Sequence, residues 1–327
     1  MFKSKNKYLR FAANAIIFLL VVFIIDQVLG RTLRHYYFTS TSGENYRTTY
    51  ALDSTNADII ILGSSRASHH YVPKIIKDSL GLSCYNTGRD GNFLLFNFAV
   101  FKSIVKRYSP KVVILDLNPF ELYEAANSYD GLSTLLPYYW DKPELRGIIE
   151  LRSRVERYKM LSAVYPFNSK ILAILKGNHG SDKDNNSNGY LQLTGSSVEK
   201  NKPGVEPLEK GEVDPNKLAA IVSMANECNQ KNIRFIVVQS PKYLISRQEK
   251  EHELVNTLKK QCHFIYWDFS NEPVFRNNPA FFKDRLHLND EGAGLFTKMV
   301  AVKIARSKIV NMDSKNVILK KKSLNRL

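Results

Sequence analysis

The chain of 327 residues is 44% hydrophobic and 24% charged, which describes a globular protein and excludes a disordered one. Its formal net charge of +16 sits mostly at the ends: Lys3, Lys5, Lys7 and Arg10 precede the first apolar run, eight basic residues against Asp313 fill Lys303–Leu327, and only about +5 remains between them. A basic excess confined to the termini argues against nucleic-acid binding, which needs a basic face on the folded body, and suits contact with an anionic membrane surface.

Phe11–Ile25 is apolar except for Asn14, and Val28-Leu29-Gly30 closes the run after Asp26 and Gln27. About 20 helical residues cross a bilayer core, so residues 1–30 read as a cytoplasmic stub and a transmembrane signal anchor. The residues after the run offer no small-residue cleavage site. Four basic residues before the segment, against Arg31 and Arg34 after it, predict a single pass with the N-terminus cytoplasmic and the body outside. Residues 31–56 are polar and aromatic without regular periodicity and read as a stalk or packing arm.

Asp58-Ile-Ile-Ile-Leu62 is a short continuous apolar run, the mark of a strand buried on both faces, and it leads into Gly63-Ser64-Ser65-Arg66. Pro73–Leu80 reads as a helix closed by Gly81. Ser83–Thr87 is a second strand, ending at Gly88-Arg89-Asp90-Gly91. Asn92–Tyr108 is a buried helix, and Lys111–Leu117 a third strand closed by Asn118-Pro119. Over 121–215 the alternation lapses. There Lys142–Met160, with Asp141 as N-cap, and Asn168–Lys176, closed by Gly177, read as helices, and Asn178–Asp214 reads as a long polar loop without strands. The block reads as an insertion over the carboxyl edge of the sheet. Alternation resumes with a helix from Asp214-Pro215 to Gln230, a strand Ile233–Val238, a helix Ser246–Gln261, a strand His263–Trp267 and a last helix Asp290–Arg306. A basic tail, 311–327, follows. Five strands alternating with helices over 57–310 predict an α/β fold, a three-layer α/β/α sandwich around a parallel five-stranded sheet.

Ligands of open α/β sheets sit at the carboxyl ends of the strands, which is where Ser64 and Ser65 fall. A serine becomes a nucleophile when an imidazole accepts its proton and a carboxylate fixes the imidazole tautomer. Asp284 and His287 are three apart, so on a helical turn the carboxylate meets Nδ1 and leaves Nε2 for a serine. Arg66 and Arg89, at the first two strand ends, are candidate contacts for an anionic substrate. His69 and His70 read as helix-face residues, Ser240-Pro241 as a cleft wall, and Asp268 as a turn cap. Tyr138-Tyr139-Trp140 suits either core packing or stacking on sugars. A Walker loop and the G-x-S-x-G elbow are both absent. Cys84, Cys228 and Cys262 are odd in number without CxxC spacing, so they form neither a disulfide framework nor a zinc site and read as buried thiols.

Gly63-Ser64-Ser65, Asn86-Thr87-Gly88, Asn118 and Asp284-Arg-Leu-His287 resemble the four blocks of the SGNH (GDSL-type) hydrolase superfamily, over 57–118 and 233–308. The resemblance implies a flavodoxin-like sandwich with Ser65 as nucleophile and Asp284 and His287 completing a triad. It implies an oxyanion hole built from the backbone N–H groups of Ser65 and Gly88 and the side chain of Asn118, and no metal or organic cofactor. The family's G-D-S reads Gly63-Ser64-Ser65 here, leaving Ser64 as a second candidate. Its G-x-N reads Asp116-Leu-Asn118, leaving Asn92 as a rival donor. The anchored architecture is similar to that of SGNH proteins that modify envelope polysaccharides, including alginate acetylation and teichoic acid D-alanylation proteins. The expected activity is therefore that of a membrane-anchored serine esterase or O-acyltransferase on acyl esters of cell-envelope glycans, served by an envelope acyl-donor partner protein. The competing expectation is a non-catalytic envelope binding or assembly protein on the same fold. Hydrogen-bond reach between Ser65 and His287 over an open cleft separates the two.

Overall fold

The computed structural model describes residues 7–179, 187–198, 204–205, 211–245 and 249–307. In chain order the helices and strands are α1 Lys7–Phe38, α2 Gly43–Asp53, β1 Ile59–Leu62, α3 Ser65–His70, α4 Pro73–Leu80, β2 Cys84–Asn86, α5 Leu94–Arg107 and β3 Val112–Asp116. Then come α6 Ala126–Asp130, α7 Pro143–Glu150, α8 Glu156–Lys159, α9 Ile171–His179, β4 Gly204–Val205 and α10 Pro215–Gln230. The chain continues with β5 Arg234–Gln239, β6 Leu244–Ile245, α11 Glu249–Cys262, β7 Ile265–Asp268, α12 Pro273–Arg276 and α13 Asp290–Arg306. Two compact units result: residues 1–46 with 133–183, and residues 47–132 with 184–327. The stretch 121–215 is thereby shared between them.

The larger unit is built on a five-stranded sheet in the order β2-β1-β3-β5-β7, every pair parallel. Ile59 lies opposite both Cys84 and Val112, and Val112 opposite Arg234. The order doubles back at β1 and β3, the switch point at which such sheets open a crevice. The apolar runs become strands because both faces are covered. Ile59, Ile61, Val112, Ile114, Ile236 and Val238 join Tyr71, Ile76, Phe296 and Val300 in one core under α3, α4 and α13. The pleat turns Ile60, Leu62, Val113, Leu115 and Val237, all buried, to the opposite face, where α5 and α10 pack on each other. Helices therefore lie on both sides of a parallel sheet, as the alternation predicts. Cys84, Cys228 and Cys262 are free and buried.

Two features of this unit differ from the sequence reading. The polar loop carries a two-residue strand, β4, paired parallel with β6, and Tyr123 bridges Val213. Neither is long enough to show periodicity. The segment Asn188–Val198 also runs along the loop before α13: Leu191 N–H donates to Ser68 C=O, Ser197 N–H to Lys283 C=O, Asp290 N–H to Leu193 C=O, and Tyr190 OH to Asp290. The tail 311–327, like Ser246–Gln248, lies outside the described residues.

In the smaller unit α1 does not end with its apolar run. It continues to Phe38, and α2, most of which belongs to the larger unit, follows, so the segment expected to be irregular is mostly helical. It contains no proline, and its aromatics find tertiary partners: Tyr37 OH meets Tyr138 OH at 3.1 Å, and the Tyr37 ring packs edge-on to Tyr138 and Phe167. Gly30 is a close-packing site within the helix, since a Cβ there would lie 2.4 Å from Ala163 Cβ. Gly177 likewise sits inside α9, with Ser40 3.0 Å from where its Cβ would be. The single helix expected over 142–160 is broken into α7 and α8. Asp141 does not cap it but pairs with Arg34 at 2.6 Å. The break lets Glu156 turn inward, fully buried, to accept from Arg152 (2.8 Å), Tyr165 OH (2.5 Å) and Lys159 (3.3 Å). A buried carboxylate needs such partners: Arg152 and Lys159 lie at helical spacing from it, and the turn after α8 adds Tyr165.

Candidate active site

The switch point brings four loops together. β1 ends at Gly63, whose φ of +152° leaves no room for a side chain: a Cβ would sit 2.9 Å from Asp116 C=O and 2.6 Å from Ala67 Cβ. Its N–H donates to Asn97 Oδ1 (2.9 Å). This tight exit sets Ser64 before α3 and Ser65 at its first residue. First-turn N–H groups of a helix have no partner within it.

The Ser65 hydroxyl lies 2.8 Å from His287 Nε2. On the other side of the ring, Nδ1 lies 2.9 and 3.0 Å from the two Asp284 oxygens. Asp284 Oδ1 also accepts the backbone N–H groups of Leu286 (2.8 Å) and His287 (3.0 Å), so the four-residue turn holds its own acid in place. Burial pushes the Asp284 carboxyl up, but the His287 ring and the two N–H donors outweigh it and hold the group below its ordinary value. An ionised Asp284 requires Nδ1–H on His287, which leaves Nε2 with a lone pair toward Ser65. The site opens on a cleft of about 320 Å³ lined by Ser64, Ser65, Arg66, Asn118, Glu121 and His287, with Phe93, Phe120, Leu244 and Leu286 as apolar walls.

The other expected residues divide. Asn118, just past the end of β3, lines the cleft, and its backbone N–H donates to Glu121. Burial, partly offset by Arg66, pushes the Glu121 carboxyl up to about 7. Arg66 is buried beside the cleft and pairs with Asp116 at 3.1 Å. Gly88 does not line the cleft: its N–H donates to Asn86 Oδ1 (2.9 Å), and a Cβ would lie 2.4 Å from Ser68 N. Its glycine character serves the close approach of the β2 exit to α3, and the donor role expected of it is already spent on Asn86. Asn92 is committed to its own turn, donating to Asp90 C=O (3.0 Å), and Arg89 donates to Thr48 (2.6 Å). Neither lines the cleft.

Three residues support the site that the sequence reading did not assign to it. His70 is fully buried: Leu288 N–H donates to its Nε2 (3.0 Å), so Nδ1–H donates to Ser240 Oγ (3.0 Å). Burial holds this imidazole well below its ordinary pKa, so it is neutral. It braces the Asp284–His287 turn from α3, while Tyr71 OH donates to Asp116 (2.8 Å) beneath. His69, one turn after Ser65, has both ring nitrogens facing acceptors: Leu191 C=O at 2.7 Å and Asp90 Oδ2 at 3.1 Å. Two acceptors require two protons, hence an imidazolium. Burial opposes that charge, but Asp90 and Leu191 outweigh it and raise the His69 pKa, and Asp90 is held down at about 2. Ser68 Oγ completes the knot on Asp90 (2.6 Å), and the His69 ring lies edge-on to His287 at 5.5 Å. The sequence signal was the i, i+4 spacing of Ser65 and His69 on one helix face, with an acid in the turn after β2.

His69 makes the Leu191 segment pH-sensitive. A raised pKa means its stabilisation is complete below the ordinary imidazole value of 6.5 and is lost as pH climbs through the raised value. Asp90 works in the opposite sense, contributing above 3.8 and losing its effect as pH falls toward about 2. Amide exchange in residues 188–198, corrected for its intrinsic pH dependence, is therefore expected to speed up as pH climbs above the ordinary imidazole value and through the raised one, by up to roughly tenfold per unit of raised pKa. His69→Gln should be fast and pH-independent. A wild-type profile that stays flat across this range would discount the knot.

No family model matches the chain, and no curated protein matches it. Among solved structures, one match is the crystal structure, at 2.00 Å, of a "putative acylhydrolase" from Bacteroides fragilis. It is 13% identical with a TM-score of 0.38, over 76% of this chain and 86% of that one.

Proposed function

We propose that the chain is a serine esterase or O-acyltransferase of the SGNH type, anchored by α1, that works through an acyl-enzyme on Ser65. The observation that carries the reading is the continuous line Asp284–His287–Ser65, at 2.9 and 2.8 Å, opening on an apolar-walled cleft. Ser65 Oγ attacks the ester carbon while its proton passes to His287 Nε2, and Asp284 stabilises the imidazolium. The oxyanion is met by the Ser65 N–H and by Asn118 at the cleft wall. His287 then gives its proton to the leaving alcohol. Water or a glycan hydroxyl, deprotonated by the same imidazole, attacks the acyl-enzyme and frees Ser65. Phe93, Phe120, Leu244 and Leu286 suit the acyl chain, and Arg66 the polar end of the substrate.

α1 is 32 residues long, with exposed apolar side chains from Phe11 to Ile25, long and apolar enough to cross a membrane. The basic residues before it favour a cytoplasmic N-terminus and an outer catalytic unit. Acyl esters of cell-envelope glycans, delivered by an acyl-donor partner, fit an enzyme so placed.

A fluorophosphonate probe on the detergent-solubilised full chain tests the chemistry. Labelling should be lost in Ser65→Ala and His287→Ala and kept in Ser64→Ala. Folded wild-type protein that takes no label would sink the enzyme reading and leave a binding role.

A further inference from the structure

In α1 the apolar run stops at Asp26, whose carboxylate accepts Ser162 Oγ (2.5 Å), Ala163 N–H (2.7 Å) and Val164 N–H (3.3 Å). One turn later Gly30 lies against Ala163. These contacts tie the turn around residues 158–164 to α1 at the height where the helix leaves its apolar stretch. The residues just before the tied positions are large, apolar and bare: Leu161 is 69% exposed, Tyr158 63% and Val155 51%, with Trp140 at 55% beside them. Side chains of this kind clustered in one small unit mark an interaction surface.

A groove of about 920 Å³ separates this surface from α1. Leu19, Val22 and Phe23 form its α1 wall, Trp140 and Leu161 face them, and Asp26, Arg31 and Arg34 close its polar end. Residues 19–23 lie three to seven positions before Asp26. At 1.5 Å per residue that is roughly 5–10 Å along the helix, the depth to which interfacial segments sink into a bilayer. The charges agree: the Arg146 guanidinium lies over Trp140 and that of Arg157 over Tyr158, each 5.5 Å from the ring centroid. Aromatic rings at headgroup level with bases reaching to phosphate are the chemistry of a membrane interface.

We infer that Trp140, Val155, Tyr158 and Leu161 form a second membrane contact, seated in the headgroup and upper acyl region of the leaflet from which α1 emerges at Asp26, with a lipid acyl chain in the groove. The occupant is lipid because the α1 wall of the groove, Leu19, Val22 and Phe23, belongs to the bare apolar face of that helix, which the spanning reading above, on which this inference rests, already gives to lipid. Such a foot holds the smaller unit against the membrane by more than a single helix.

The chain has two tryptophans, and Trp267 is buried, so Trp267→Phe leaves Trp140 as sole reporter. The full chain is reconstituted into phosphatidylcholine–phosphatidylglycerol vesicles containing lipids brominated in the upper acyl chain. Trp140 emission is expected to shift to the blue and to be quenched roughly twofold by the bromolipid. Replacing Val155, Tyr158 and Leu161 together by serine should reduce that quenching. Flotation of the vesicles after an alkaline carbonate wash reads α1 separately. A chain that does not float removes the spanning reading and the foot with it. A chain that floats, with Trp140 unquenched by bromolipid and open to aqueous iodide, overturns the foot alone.

Discussion

Ser65→Ala and His287→Ala are each expected to lower kcat/KM on a short acyl ester by about 10⁴- to 10⁶-fold, and the double variant to be no worse than either. The reason lies in the geometry. Oγ and Nε2 are 2.8 Å apart and share one proton, so either member without the other leaves only cleft binding and oxyanion contacts. Asp284→Asn should cost about 10⁴-fold, because an amide at 2.9 Å from Nδ1 can donate to the ring and favour the tautomer with its proton on Nε2, facing Ser65. Ser64→Ala should lose roughly tenfold or less, since Ser64 lines the cleft without meeting the imidazole. Steady-state kinetics on purified full-length variants decide the matter. A Ser65→Ala enzyme that keeps more than about 1% of wild-type activity would move the nucleophile elsewhere.

The largest expected effect on stability belongs to Phe296→Ala. Phe296 is fully buried on α13, and its ring meets Tyr71 at 5.1 Å, Phe269 at 5.3 Å, Phe275 at 6.1 Å and His70 at 6.3 Å. Truncating a core phenylalanine loses its transfer free energy and leaves a cavity, about 3–5 kcal/mol together. In a unit of this size that is a drop in Tm on the order of 10 °C. The four ring neighbours come from three separate segments, so collapse around the hole is difficult. Because His70 receives Leu288 N–H, loosening its ring also loosens the turn that carries His287. Activity should therefore fall at temperatures where the variant is still folded. An unfolding free energy from denaturant titration that is unchanged within about 1 kcal/mol would mean that the cluster repacks without Phe296.

The residues read from sequence and the residues that support them differ in how local their physics is. The strands at 59–62, 112–116 and 234–239 were legible because parallel strands buried on both faces must be continuously apolar. Pro73 and Gly81 mark the two ends of α4, with Gly81 at φ +74° in the cap. Asp284 and His287 were legible as a pair because three residues of turn suffice to bring carboxylate and imidazole together. Ser65 was legible as a candidate because it follows a buried strand.

Other features depend on partners far away in sequence. Gly30 looks like the end of an apolar run, and only Ala163 shows that it is a packing site within a helix. Glu156 is satisfied only because the chain turns back to bring Tyr165 OH onto its carboxylate, which the residues around it do not announce. Gly88 has the right neighbours for an oxyanion donor, yet its N–H is taken by Asn86, a choice made by how the β2 exit packs on α3. His69 and His70 are adjacent in sequence and opposite in charge state. One faces Leu191 and Asp90, the other Ser240 and Leu288, and those partners lie between 20 and 220 residues away.

By itself the sequence determined the strands of the five-stranded sheet and the two ends of α4, because those depend on periodicity and backbone preference, and it offered Asp284 and His287 as a candidate pair within one turn. The tertiary structure decided which serine meets that imidazole and which histidine carries charge, because hydrogen-bond partners and desolvation are set by residues that only folding brings together.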